Sequence, residues 1–217
     1  SIIVLLFIIF GGKYFAQNFP SATQTPFVTA SATVQPPTPT STPVPPTPTL
    51  EPGATIIGGK GDTLVYVPAG EFMMGSDSSD QTDEGPAHTV YLDAFWLNQT
   101  EVTNKQYKAC VDAGTCEPPS NISSNTHPSY YGDPEFDNYP VVYVNWDKAN
   151  RYCTVWIGGS LPTEAQWEKA ARGPDGNMYP WGNDLPNSNL LNYNENIGDT
   201  TEVGKYPNGT SVYGVLD

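Results

Sequence analysis

The stretch Leu161–Asn183, LPTEAQWEKAARGPDGNMYPWGN, contains a helix whose two ends are both marked in the sequence. Thr163 is an N-cap residue, and Gln166, three positions later, completes a capping box. Gly173 can take the left-handed conformation that ends many helices, and the proline after it prevents continuation. Lys169 lies late in the helix, where the dipole favours a cation. The pattern therefore predicts a helix between Thr163 and Gly173. Small and aromatic side chains are available to pack it: Ala165, Trp167, Ala170 and Ala171.

Further short motifs surround this helix. In chain order they are VPAGEF (67–72) with MGS (74–76), DEGPAHTV (83–90), EVTN (101–104), PVVYVNW (140–146) before YC (152–153), PTEAQWE (162–168) with ARG (171–173), and YPWGN (179–183). Each motif alone is weak evidence, but six in one order are specific. Together they closely resemble the sulfatase-modifying-factor family, the formylglycine-generating-enzyme-like domains, over residues 64 to 217.

The predicted elements are short and separated by long loops. Alternating patterns predict strands at 63–68, 72–74 and 89–97. Capping residues predict helices that start at Thr103 or Asn104 and at Asn145 or Asp147. From Trp181 onward, loops and short strands are expected. We therefore predict an α+β domain, and the resemblance implies an irregular, loop-rich fold related to C-type lectins.

The N-terminal part has a different composition from the rest. The chain begins with Ser, so we expect a preceding segment to be missing. The unbroken apolar run at 2–10 is shorter than the roughly 20 residues that span a bilayer. It is the end of a transmembrane helix or the core of a signal peptide, with a buried strand as the third alternative. We favour the transmembrane helix, because a stalk and no clean cleavage signal follows.

The stalk is rich in Thr, Pro, Ser and Ala and has almost no charge. Such a segment does not fold, and in polyproline II at about 3.1 Å per residue it would extend up to roughly 100 Å. We therefore predict a partial transmembrane or signal segment at 1–18, a disordered linker at 19–60, and an incomplete sulfatase-modifying-factor-like domain at 61–217. This organisation predicts a bacterial, membrane-anchored protein whose domain lies outside the cytoplasm.

Charge excludes one class of partner. Nine Lys and Arg stand against 23 Asp and Glu, a formal net charge of −14. Nucleic-acid binding needs a cationic surface, so no nucleic-acid partner is expected. Membrane contact through the N-terminal segment and a protein or glycan ligand are the expected partners.

Three cysteines are present. Cys110 and Cys116 have a spacing that can close a small disulfide loop, and outside the cytoplasm this bond would form. The alternative is a pair of buried thiols. In the resembled family, the cysteine at the position of Cys153 can pair with one near the C-terminus. That region is absent here, so Cys153 is expected to be unpaired and buried.

The resemblance also implies a calcium site. Asn192 and Tyr193 occupy the place of a family ligand pair, a side-chain oxygen followed by a backbone oxygen, and Asp199 is the candidate third ligand. The alternative is an Asx-type turn. His88 and His127 each lie beside turn-forming residues, and we expect structural roles for both.

In the resembled family, the catalytic residues lie C-terminal to a Gly-Asn-x-Trp-Glu-Trp motif. A pair of cysteines there binds copper(I), and the enzyme uses oxygen to convert a substrate cysteine to formylglycine. Residues 213–217, YGVLD, look like the approach to that motif. No cysteine of this chain matches the catalytic positions, so no catalytic residue is assigned and no oxidation is expected from the chain as given. The absent part should pack against the helix before Gly173, leaving Trp or Tyr exposed there.

Three hypotheses about function remain. The domain is a surface binding or sensor scaffold, or a fragment of the copper-dependent oxidase, or a member of an oxygenase branch that uses iron held by histidines. The long stalk favours presentation at a surface and hence the scaffold. Only two histidines are available, which weighs against the iron enzyme.

Overall fold

A computed structural model of the 217-residue chain describes residues 9–11, 50–77, 84–194 and 196–216. The chain divides into two units, residues 1–12 with 50–217 and residues 13–49. The second unit lies outside the described residues, as does most of the predicted membrane segment, so the anchor and the stalk stay predictions. Among the described residues, no helix is both long and apolar enough to cross a membrane.

The larger sheet has four antiparallel strands in the order β1-β6-β3-β2. Val65 and Val67 pair with Leu97 and Phe95 across β3 and β6, and all four side chains are buried on one face. Tyr66 and Trp96 pair on the opposite face, because successive side chains of a strand point to opposite sides. The strands are β1 (Ile9–Gly11), β2 (Thr55–Ile57), β3 (Thr63–Val67) and β6 (Phe95–Asn98).

Two of these strands lie in segments that the sequence analysis assigned to other structures. β1 lies at the end of the apolar run, and β2 lies inside the predicted linker 19–60. Both are short edge strands. Edge strands of this length carry little pattern of their own, since the neighbouring strand supplies their hydrogen-bond partners.

A separate hairpin joins β4 (Gly70–Met74) to β5 (His88–Leu92), with Phe72 opposite Val90. The prediction of one continuous strand over 89–97 was therefore wrong. The chain leaves the hairpin after Leu92 and enters the larger sheet at Phe95. The more buried positions change phase at this break, from Val90 and Leu92 in β5 to Phe95 and Leu97 in β6.

The first two helices begin where their caps predict. α1 (Asn104–Asp112) starts after Thr103, which forms a capping box with Gln106. α2 (Trp146–Arg151) starts after Asn145, whose side chain accepts a hydrogen bond from the Lys148 N–H. The chain then continues as a π-helical segment, Tyr152–Ile157, ending at the left-handed Gly158. The start of the helix is therefore confirmed, while the caps gave no sign that its second half is π-helical.

The helix that identified the fold is α3 (Glu164–Arg172). Its capping box between Thr163 and Gln166 and its positive-φ end at Gly173 confirm the prediction. The face of α3 that is buried differs from the one expected from its small and aromatic residues. Lys169 is 1% exposed, whereas Trp167 is 42% exposed. Lys169 can be buried because its Nζ donates to the carbonyls of Pro68 at 2.9 Å and Gly70 at 2.8 Å.

Two apolar clusters form the core. One joins α1, the 141–144 segment and the π-helical segment, and includes Tyr107 stacked on Tyr152. The other joins the larger sheet to Ala170 of α3 and to Tyr213 and Val215. From Trp181 to Leu216 the described residues form loops with one 3-10 turn, Pro207–Gly209, and no strand. The domain is thus a mixed, loop-rich α/β fold with small sheets, as the sequence predicted.

Candidate functional site

A concavity with a volume of about 380 Å³ lies beside α3. Its walls are almost entirely apolar or aromatic. Tyr179 and Trp181 stack with ring centroids 5.1 Å apart and planes 7° from parallel. Met178 is 60% exposed at this cavity. The remaining walls include Trp167, Ala170, Ala171, Leu190, Leu191 and Val215.

The ion pair between Glu168 and Arg172 of α3 connects the helix to two loop segments near this cavity. Glu168 accepts a hydrogen bond from the Gly75 N–H at 2.8 Å and contacts Arg172. Arg172 donates to the carbonyls of Gly75 at 3.0 Å, Asn177 at 2.6 Å and Gly176 at 3.1 Å. The guanidinium therefore fastens the β4 end and the 176–177 turn to the helix.

Local hydrogen bonds hold the aromatic turn. The Met178 N–H donates to the side chain of Asn183 at 2.8 Å, and Trp181 Nε1 donates to the Asp184 carbonyl at 3.0 Å. The stacked rings are thus held in place before any ligand arrives. Such a cavity suits an apolar or aromatic group, because the polar atoms of Arg172 are already engaged.

The cysteines have the predicted pairing. Cys110 and Cys116 form a disulfide with a Cα–Cα distance of 5.3 Å, and Cys153 is a buried free thiol. Burial raises the pKa of Cys153 to about 12, so it is protonated at neutral pH. Copper(I) is held by thiolates. The three cysteines of this chain therefore do not fit a copper site.

The residues of the predicted calcium site do lie together. The Asn192 side-chain amide donates to the Asp199 carbonyl at 2.7 Å. The Asp199 carboxylate accepts hydrogen bonds from the Ser124 hydroxyl at 2.6 Å, the Thr126 N–H at 2.7 Å and hydroxyl at 2.6 Å, and the Thr200 N–H at 2.8 Å. It thereby joins the 124–126 loop to the 199–200 loop.

Several of these candidate ligand atoms already have hydrogen-bond partners within the protein. Both Asp199 oxygens are used by protein donors, and the Tyr193 carbonyl accepts the N–H of Asn196 at 3.1 Å. Burial alone would raise the pKa of Asp199, but the hydrogen bonds from Ser124, Thr126 and Thr200 lower it to about 2. Within the part of the chain that the structure describes, no group of three or more His, Cys, Asp or Glu could hold a metal. Calcium at Asn192, Tyr193 and Asp199 stays a prediction.

The two histidines lie in separate places and have local contacts. His88 Nδ1 lies 2.9 Å from the Pro86 carbonyl, and the His127 ring packs on Phe136 at 4.6 Å. The cavity residues Met178, Leu190 and Val215 were not singled out from the sequence. The YPWG turn was the one local signal for this site, since its alternating aromatics can stack on one side.

With the fold and the cavity established, the family follows from comparison with known proteins. Residues 56–217 match the model of the sulfatase-modifying factor enzyme 1-like domain, so the chain belongs to this family. The formylglycine-generating enzyme of Thermomonospora curvata is 34% identical over 161 residues, covering 56% of this chain and 53% of that protein. The inactive C-alpha-formylglycine-generating enzyme 2 of Mus musculus is 33% identical over 180 residues, covering 65% and 58%.

The same fold occurs among solved structures. PvdO from Pseudomonas aeruginosa superposes with a TM-score of 0.59 at 22% identity, covering 78% of this chain and 72% of that one. At this identity the likeness concerns the fold alone. The chain spans a little over half the length of the two sequence relatives, so the activity of a whole relative is not carried over to it.

Proposed function

We propose that this sulfatase-modifying-factor-like domain is a binding or sensor scaffold that recognises an apolar or aromatic group of a protein or glycan ligand. The observation that carries this proposal is the 380 Å³ cavity beside α3 with its stacked Tyr179–Trp181 pair. Aromatic faces held in advance lose little conformational freedom when a ligand binds. The cysteines support binding over oxidation, because none of them is an accessible thiol in the described residues.

An array of peptides and glycans tests the proposal. The 217-residue chain should retain a subset of ligands, and Met178→Glu should abolish retention because it places a charge in the apolar cavity. Leu185→Glu is the matched control, since Leu185 is 78% exposed and lies outside the cavity walls. An absence of hits for the unchanged chain, or equal loss in both variants, contradicts the proposal.

We further propose that the domain lies outside the cytoplasm and is anchored through residues 1–18. The Cys110–Cys116 disulfide supports an oxidising compartment, and the Pro/Thr composition of 19–60 supports a spacer. Fractionation of expressing cells should leave the chain in membranes after alkaline washing, and protease added outside should remove the domain. Recovery of the chain in the soluble fraction would contradict the anchor. It would instead favour residues 9–11 as a strand of the folded domain, as in β1.

The second candidate is a fragment of a copper-dependent oxidase that forms formylglycine in sulfatases. It is supported by the relative from Thermomonospora curvata, which bears the name formylglycine-generating enzyme. If the parent protein carries two cysteines after a Trp-Glu-Trp motif, its copper-loaded form would be incubated with a Cys-x-Pro-x-Arg peptide and followed by mass spectrometry. Loss of the peptide thiol would favour the oxidase, and an unchanged peptide would favour the scaffold.

A further inference from the structure

The carboxylate of Asp62 is the least compensated polar group of the larger sheet. Asp62 is 3% exposed, and neither of its carboxylate oxygens has a hydrogen-bond partner among the described residues. A buried carboxylate is expensive unless a donor, a proton or a cation compensates it. The residue lies directly before β3, at the end of the turn that begins at Gly58.

A second unpartnered acceptor lies on the neighbouring strand. Asn98 is also 3% exposed, and its side-chain oxygen has no partner in the described part of the chain. Asn98 pairs with Leu64, so Asp62 and Asn98 lie diagonally on the same face. Diagonal neighbours in antiparallel strands are about 7–8 Å apart, a span that one ion held by both side chains can bridge.

The same face packs towards the π-helical segment. Burial, and then the charge of Asp62, raise the pKa of Tyr152, which places the carboxylate near that ring. Lys60, in the same turn, lies over Trp156 with Nζ 3.7 Å from the ring centroid. A side chain at Gly58 would collide with the carboxylate, since an added Cβ would lie 2.6 Å from Asp62 Oδ2. The carboxylate is thus enclosed by the turn, the sheet and the segment 152–157.

We propose that Asp62 and Asn98 form the protein part of a site for a hard cation of the calcium class. The acceptors are all oxygen atoms, which calcium prefers, and backbone carbonyls or water complete the coordination. The ion neutralises the buried carboxylate and joins the β2–β3 turn to β6. This site is separate from Asn192, Tyr193 and Asp199, and it does not depend on the proposed ligand-binding function.

The direction in which Asp62→Asn changes the melting temperature, with calcium and with chelator, tests the site. If calcium occupies it, the unchanged 217-residue chain should unfold at a higher temperature in calcium than in chelator, because an ion that binds only the folded state stabilises it. Asp62→Asn should lose this response. In chelator, Asp62→Asn should be more stable than the unchanged chain, since it removes an uncompensated buried charge.

Direct binding gives a measurement that does not depend on a sharp melting transition. Terbium, a luminescent substitute for calcium, should emit on tyrosine excitation because Tyr152 is close. Asp62→Asn and Asn98→Leu should each weaken terbium and calcium binding by more than about tenfold. Asp93→Asn is the matched control and should leave binding unchanged, since that carboxylate is exposed to solvent.

The outcomes separate the alternatives. A calcium response that is lost in Asp199→Asn and kept in Asp62→Asn would overturn the proposal and assign the ion to the 192–199 loop. Stabilisation by sodium alone would contradict the calcium class. No binding of either ion to the unchanged chain would overturn the proposal.

Discussion

Replacement of Lys169 by methionine should destabilise the domain more than any exposed charge substitution. The Nζ atom donates to the carbonyls of Pro68 and Gly70, at the turn between β3 and β4, and the side chain is 1% exposed. Methionine has a similar length but no donor. Lys169→Met would therefore leave two enclosed carbonyl oxygens without their partner.

The magnitude follows from these two bonds. A hydrogen bond to a charged group contributes about 1.5–3 kcal/mol, so the two together are worth about 3–6 kcal/mol before the ammonium's desolvation is considered. Removal of the buried ammonium offsets part of this, and burial indeed lowers the pKa of Lys169. We expect a net loss of about 3 kcal/mol in the free energy of unfolding.

Urea unfolding followed by tryptophan fluorescence measures this loss. With a slope of about 2 kcal/mol per molar, the midpoint should fall by about 1.5 M. Lys108→Met is the matched control, because Lys108 lies in α1 and forms an exposed ion pair with Asp112. That pair should be worth less than about 1 kcal/mol. Equal midpoints for the two variants would refute the argument.

Three further predictions concern groups with defined electrostatic or covalent roles. The pKa of Asp199 is about 2 in the folded state and lies near 3.9 when unfolded, so its stabilisation is complete above about pH 5 and is lost as the pH falls towards 2. Asp199→Asn should flatten that part of a pH series of urea midpoints, and an unchanged slope would contradict this. Reduction of the Cys110–Cys116 disulfide should lower the free energy of unfolding by about 2 kcal/mol, measured in urea with and without reductant; coincident curves would show no such contribution. Cys153, whose pKa is raised to about 12, should react with iodoacetamide at pH 8 only after denaturation, and rapid labelling of the native chain would show that it is accessible.

Local rules predicted the helices well because the determining atoms are close in sequence. The two capping boxes, Thr103 with Gln106 and Thr163 with Gln166, each form within one turn. The positive φ of Gly173 is equally local, although its ψ of −174° is not that of the left-handed helical conformation. These features depend on the chain's own backbone and on residues three or four positions away, so no tertiary information is required to recognise them.

The same rules failed where a distant segment supplied the partner. The sequence assigned Lys169 only a favourable interaction with the helix dipole, whereas carbonyls 99 and 101 positions away allow its burial. The strand predicted at 89–97 divides between two sheets because each half pairs with a different strand. Hydrogen-bond partners chosen by tertiary contact leave no trace in local pattern.

Some features of the candidate site could likewise be predicted from the sequence, and others required the fold. The order of motifs was sufficient for the family, because it is written along the chain. The Cys110–Cys116 spacing allowed a disulfide but left a pair of buried thiols as the alternative, and the structure contains the disulfide. The cavity required the fold, since Trp181, Leu190 and Val215 meet only when the C-terminal loops return to α3.

By itself, then, the sequence determined the family, the start of each helix and the charge of this protein, and it allowed the disulfide. The tertiary structure alone decided that Asp199 accepts hydrogen bonds from the 124–126 loop and that the side-chain oxygens of Asp62 and Asn98 have no partner among the described residues. The physical reason is that a side chain's chemistry depends on which donors, acceptors and apolar groups surround it. Those neighbours are assembled by packing between segments that are far apart along the chain.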